Sequence, residues 1–287
     1  MSQSVQAVVR DGDNDPPVSL KAVDAPPPGP GEALVEVRAS TINRGELALL
    51  SSRADGWRPG QDLAGVVDQA AADGSGPPAG TRVFGTVDAG AWATRATAPT
   101  SRLAILPDGV PFEAAAGLGI AGLTALRVLR RAGSLLGRRV LITAASGGVG
   151  HLLVQLAQTA GARVSADEPE DGAFDVVFEG IGGRALERAV RALRPGGSVI
   201  LYGASDPQPA NLTLLDFVGR EGASIVSYFS YAAPEPDPPD LAILADLVNA
   251  GRLTPAIAAT YPLAETAAAI KALTARQVHG KVILTTA

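Results

Sequence analysis

The sequence predicts an α/β chain in two parts, a β-rich part followed by a doubly wound parallel sheet that is shortened. Three observations predict it. Up to about Leu118, short β-type runs are separated by Gly and Pro; from about Ala121, strands alternate with helices; and a glycine-rich turn, Ala145-Ser146-Gly147-Gly148-Val149-Gly150, joins the apolar run Leu141-Ile142-Thr143 to the helix pattern Leu152–Ala157. A strand that feeds such a turn and opens directly onto a helix offers free N–H groups and a positive dipole end to a phosphate. The turn therefore reads as a dinucleotide site.

The elements follow in order. Gln6–Arg10, Glu32–Arg38, Leu63–Val67 and Thr81–Gly85 alternate or are bounded by turn residues, as half-buried strands do. Pro26-Pro27-Pro28-Gly29-Pro30-Gly31 is a stiff surface connection. A helix is expected through Leu123–Ala132, a strand at 139–143, a helix at 149–160, a strand at 174–178 and a helix at Ala185–Leu193. Gly196-Gly197 reads as the helix stop before the strand Ser198–Gly203. Leu241–Ala250 forms a helix ended by Gly251, and a last helix near Leu263–Leu273 precedes the strand Lys281–Leu284, which returns to the first domain. The expected division is residues 1–118, completed by 255–287, and residues 119–254.

Composition narrows the function. At 287 residues and 46% hydrophobic content, the chain is long enough for two cores. No basic start with an apolar core reads as a signal peptide and no apolar run is long enough to span a bilayer, so a cytoplasmic protein with no membrane partner is expected. The absence of cysteine removes disulfides, thiol catalysis and cysteine-bound zinc, and the two histidines, His151 and His279, have no helical pairing for a metal. A net charge of −5 without a basic cluster argues against nucleic acid.

The connection after the glycine helix is short. A whole βαβ unit takes on the order of 30 residues, yet Phe174–Phe178 follows Gly161-Ala162-Arg163-Val164 almost at once. Residues 167–173 must cross from one parallel strand to another, and an extended stretch of that length reaches at most about 25 Å. The third strand of the sheet and its flanking helices are therefore expected to be missing, leaving a new edge. Asp167, in the acidic stretch 167–171, stands where an acid meets an adenine ribose, and no Arg or Lys lies between Arg163 and Arg184 to accept a 2′-phosphate.

Eight ordered blocks resemble the medium-chain dehydrogenase/reductase superfamily, in its zinc-independent quinone oxidoreductase-like branch. They are Ala39–Asn43, Gly60–Val67, Gly80–Gly85, Gly90–Ala93, Leu106–Gly109, Ala121–Ala125, the glycine turn and His279–Val282. The resemblance implies a GroES-like catalytic domain and a Rossmann-type domain with a cleft between them. It also implies hydride transfer from a nicotinamide, usually NADPH with NADH possible, to a quinone, enone or enoyl-type small molecule. It implies a homodimer through the edge near Ala223–Ser230. Zinc-dependent relatives place a His-Glu pair where this chain has Gln61-Asp62, so no metal is implied.

On that resemblance, Ala145, Ser146, Gly147, Gly148, Val149 and Gly150 approach the pyrophosphate, Gly203 borders the cofactor, and Thr124 touches the nicotinamide side or else caps a helix. Lys281 meets a phosphate or carbonyl, or is a solvated charge at a strand start. His151 approaches a phosphate or only tops the helix. Asn43 donates to a developing oxyanion. Ala48 stands where some relatives carry a tyrosine acid, leaving Tyr202, Tyr228 and Tyr231 as general acids or as packed side chains. Two functions compete: an NAD(P)H-dependent reductase, and a cofactor-free cyclase, isomerase, eliminase or small-molecule-binding protein on the same scaffold.

Overall fold

The computed structural model describes residues 4–166, 169–275 and 277–286. It divides into two compact units, residues 1–123 with 236–287, and residues 124–235. The first opens with an antiparallel pair, β1 (Ser4–Arg10) and β2 (Val18–Asp24). The long strand β3 (Glu32–Ile42) leads into helix α1 (Arg44–Ser52). Strands β4 (Asp62–Gln69), β5 (Arg82–Thr86), β6 (Arg95–Pro99) and β7 (Leu103–Ile105) follow, then helix α2 (Phe112–Ala116). Helix α3 (Ile120–Arg131) contains the division between the units.

The second unit alternates as its sequence pattern requires. Strand β8 (Arg139–Ile142) is followed by α4 (Gly148–Thr159), β9 (Arg163–Ser165), β10 (Phe174–Glu179), α5 (Gly183–Arg191), β11 (Leu193–Leu201) and β12 (Ser224–Ser227). These five strands form one parallel sheet in the order β12-β11-β10-β8-β9. The chain turns outward from β8 to β9, then crosses back to β10 on the other side. This is the topological switch point of a doubly wound sheet, and β9 is its edge among the described residues. The core beneath it gathers Leu141, Phe174, Val177, Val190, Leu193 and Val199.

The chain then returns to the first unit through helix α6 (Asp237–Asn249), strand β13 (Ile257–Pro262), helix α7 (Thr266–Thr274) and strand β14 (Lys281–Thr285). The first unit's main sheet runs β13-β14-β3-β4-β5-β7, with β6 also on β3. Its core includes apolar clusters around Trp92, Ile270 and Leu284, and around Val35, Leu63 and Val83. Each fully buried Leu, Ile or Val contributes about 1.5–3 kcal/mol relative to an exposed one.

Two expectations need correction. Residues 236–254 group with the first unit rather than with the parallel sheet. Buried Asp237 at the start of α6 explains why: its Oδ2 accepts a hydrogen bond of 2.7 Å from Thr86 Oγ1 and lies 3.5 Å from Arg102 Nε, both first-unit residues. Gly196-Gly197 does not precede the strand but lies inside β11, which pairs with β10 at Leu193 and again from Ser198. The residues between bulge, and Gly196 at φ +73° takes the left-handed turn this needs.

Candidate functional site

In the first unit, a polar centre forms where three strands bring their ends together. The antiparallel register Val282↔Ile42 sets Lys281 at the start of β14 beside Asn43, and Ser40↔Leu63 sets Asp62 at the start of β4 beside Thr41. Asp62 is fully buried, Lys281 almost so, and Asn43 is half-buried. Lys281 Nζ donates to Asn43 Oδ1 at 2.7 Å and lies 3.5 Å from Asp62 Oδ2. Asn43 Nδ2 donates to Asp62 Oδ2 at 2.8 Å. An ammonium can only donate and a carboxylate only accept, so these two neighbours fix which way the Asn43 amide faces.

The Asp62 carboxylate is further held by Thr41 Oγ1 and by the Ile120 N–H, 2.7 Å from Oδ1, which opens α3. An anion at that helix start is favoured by the dipole. Gly119 leaves the room required, since a Cβ there would lie 2.3 Å from Asp62 Oδ1. Buried Trp92 closes the floor, its Nε1 donating 2.9 Å to the Thr41 carbonyl.

Glu46 completes the centre. Its Oε2 accepts the Asn43 backbone N–H at 2.6 Å, the returning half of a capping box that starts α1, while Oε1 is buried without a partner. Burial, then the negative charge of Asp62, push the Glu46 carboxyl up to about 8. At neutral pH it is mostly protonated, leaving Asp62 and Lys281 as a balanced pair.

The second unit presents a different centre, made of backbone. After β8, Ala144 takes φ +52°, and Gly147, the residue capping α4, has no side chain to occupy the first-turn N–H groups. A Cβ at Gly150 would lie 2.2 Å from the Ala144 carbonyl oxygen and 2.8 Å from the Ala145 Cα. Only glycine lets α4 lie this close to the turn. Ser146 is exposed and Val149 partly covered. A Cβ at Gly203 would lie 2.5 Å from the Gly180 carbonyl, so the loops after β10 and β11 also meet backbone to backbone.

Glu179, buried at the end of β10, ties these loops together. It accepts N–H groups from Ile181 and Gly182, each at 2.8 Å, and the Thr143 hydroxyl at 3.0 Å. Burial raises its pKa against the lowering effect of those bonds. Tyr202 donates to the Thr143 carbonyl at 3.4 Å and is also raised by burial, then by Glu179.

The remaining predicted residues fall as follows. Thr124 is buried inside α3, which begins at Ile120, so its capping alternative is removed. Tyr228 is buried, its ring 5.1 Å from the Arg131 guanidinium, and burial raises its hydroxyl pKa. Tyr231 is exposed and stacks at 5.3 Å on Phe229. Both tyrosines belong to the second unit and Asn43 to the first. The reading of Lys281 as a solvated charge is corrected by its burial and its two partners. Asp167 lies outside the described residues.

Asp62, Glu46 and Glu179 carry the two centres and are absent from the site read from sequence. Each left a signal: Asn43-x-x-Glu46 is a capping-box spacing, and Asp62 and Glu179 are charges bordering apolar strand runs.

Residues 29–108 match the alcohol dehydrogenase GroES-like domain, and residues 152–284 match the zinc-binding dehydrogenase domain. The chain belongs to the medium-chain dehydrogenase/reductase superfamily. It is 31% identical to NorB, a spectinabilin polyketide synthase system protein of Streptomyces orinoci, over 91% of this chain and 13% of that protein. The chain thus spans a small fraction of that relative. It is 27% identical to a 2-haloacrylate reductase of Burkholderia sp, over 68% of this chain and 70% of that one. A mycobacterial quinone oxidoreductase shares the fold, with a TM-score of 0.84 at 24% identity, over 99% of this chain and 100% of that one. Superfamily members are oxidoreductases that use nicotinamide dinucleotides. At the start of α4 no side chain of the capping residue Gly147 occupies the first-turn N–H groups, the arrangement that suits an anionic phosphate in this superfamily member.

Proposed function

We propose that the chain is a nicotinamide-dinucleotide-dependent reductase of a quinone, enone or enoyl-type small molecule. The observation that carries this reading is the glycine turn at the switch point of the parallel sheet, where Gly147 leaves the first-turn N–H groups of α4 without a capping side chain and Gly150 is pressed against Ala144. The names of the relatives support it. A bound reduced nicotinamide would supply hydride to an electrophilic carbon of the substrate. The backbone of Ala145–Gly150 would hold the pyrophosphate, and the loop of Gly203 would border the cofactor. Asn43 would donate its amide hydrogen to the oxygen that gains negative charge. Water or a tyrosine would deliver the proton.

The reading is zinc-free, because Gln61-Asp62 replaces a His-Glu pair, cysteine is absent, and Asp62 is occupied by Lys281, Asn43, Thr41 and Ile120. It includes a homodimer along β12, whose four residues are all exposed at the sheet edge. Light scattering checks that stoichiometry. No helix is long and apolar enough to cross a membrane among the described residues.

A cofactor-free reaction in the same scaffold is the second reading, favoured by the position of β9 as the sheet edge. Calorimetric titration with NADPH and with NADH separates the two. Micromolar binding of either is expected. No binding at millimolar cofactor would sink the reductase reading and leave the second.

A further inference from the structure

The polar centre of the first unit assigns Lys281 a task other than contact with the cofactor. We infer that Lys281, with Asp62, is a positioning residue that locks the Asn43 amide so that one Nδ2 hydrogen remains for the substrate oxygen. The inference rests on the reductase reading for the reaction it serves, but its geometry stands on the first unit alone. Lys281 donates to Asn43 Oδ1 at 2.7 Å, and Asn43 Nδ2 donates to Asp62 Oδ2 at 2.8 Å. With the oxygen and one hydrogen of the amide engaged, the planar group cannot flip without placing N–H against ammonium and carbonyl against carboxylate. A flipped amide would present its oxygen to a developing oxyanion and oppose the reaction.

Burial makes the lock effective. Lys281 and Asp62 are 5% and 0% exposed, so water cannot substitute for either partner. The Asn43 main chain is held separately by Glu46 Oε2 at 2.6 Å, and the capping box also turns the Asn43 side chain toward the Glu46 N–H, an orientation that Lys281 and Asp62 then lock. An ammonium engaged in this way is not the free cation a cofactor phosphate would select.

The test uses the full chain and four variants, Asn43→Ala, Lys281→Met, Asn43→Ala/Lys281→Met and the charge-balanced Lys281→Met/Asp62→Asn. The last leaves no buried charge unpaired and keeps the test valid if Lys281→Met alone does not fold. In Lys281→Met, calorimetric Kd values for NADPH and NADH are expected within about threefold of wild type. With 1,4-benzoquinone as the probe acceptor, kcat is expected to fall at least about tenfold with little change in KM. Adding Lys281→Met to Asn43→Ala is expected to cost nothing further, because the group being positioned is gone. Independently of turnover, the Asn43 side-chain amide protons, identified in NMR spectra by their loss in Asn43→Ala, are expected to exchange at least about tenfold faster in Lys281→Met. An unchanged exchange rate overturns the lock. A Kd raised more than about tenfold with kcat retained also overturns it and makes Lys281 a cofactor contact. A wild type that binds neither dinucleotide refutes the reductase reading and the catalytic role together, a result distinct from either of these.

Discussion

The two units solve the same problem, a polar centre set in an apolar protein, by opposite means. The first unit buries formal charge and pairs it with side chains drawn from β3, β4 and β14, so that Asp62, Lys281 and Asn43 satisfy one another. The second excludes side chains: Gly147, Gly150 and Gly203 bring backbone against backbone, and the buried carboxylate of Glu179 serves loop N–H groups. A side-chain centre fails when a partner is removed. A backbone centre fails when an atom is added.

Asp62→Ala should therefore have the largest effect. It would leave the Lys281 ammonium buried without its counter-charge, and denaturant unfolding should report a loss of about 3–5 kcal/mol. Asp62→Asn with Lys281→Met should recover much of it. The opposite kind of failure belongs to Gly150→Ala. An added Cβ would lie 2.2 Å from the Ala144 oxygen, so stability should fall by about 3 kcal/mol and the affinity for NAD(P)H should fall with it. A Gly150→Ala variant that is neutral in both measurements would mean that α4 does not depend on close backbone contact with the turn.

The most specific effect, and the smallest over any single pH unit, is one of pH. Glu46 titrates near 8 in the folded protein, against 4.5 as its ordinary value. A carboxyl whose pKa is raised by folding contributes stability that is fully present below the unfolded value and is lost as pH rises through the folded one. Relative to Glu46→Gln, wild type should thus lose about 1.4 kcal/mol per pH unit across that window, with no further loss above it. Urea midpoints for both proteins between pH 4 and pH 9 measure this difference. Parallel curves would mean that Glu46 is ionised in the folded state.

The same contrast explains what could be read in advance. The glycine turn is a contiguous string, so residues 145–150 announce a strand-to-helix turn without any knowledge of the fold. Asn43, Asp62 and Lys281 are separated by 19 and 219 positions and announce nothing together. The resemblance pointed to Asn43 and Lys281 singly, and nothing in it joined them. The capping-box spacing of Glu46 marks only a helix start, whereas its burial beside Asp62 depends on the sheet behind it.

The sequence by itself determined the alternation of strands and helices, the place of the glycine turn and the shortened crossover. All three depend on local periodicity, glycine and chain length, which act over a few residues. Tertiary structure alone decided the pairing of β14 with β3 and of β3 with β4, and hence that an amide, a carboxylate and an ammonium share one buried site. Strand register is fixed by the packing of whole sheets, and the energy that aligns Lys281 with Asn43 comes from the apolar residues around them rather than from either side chain.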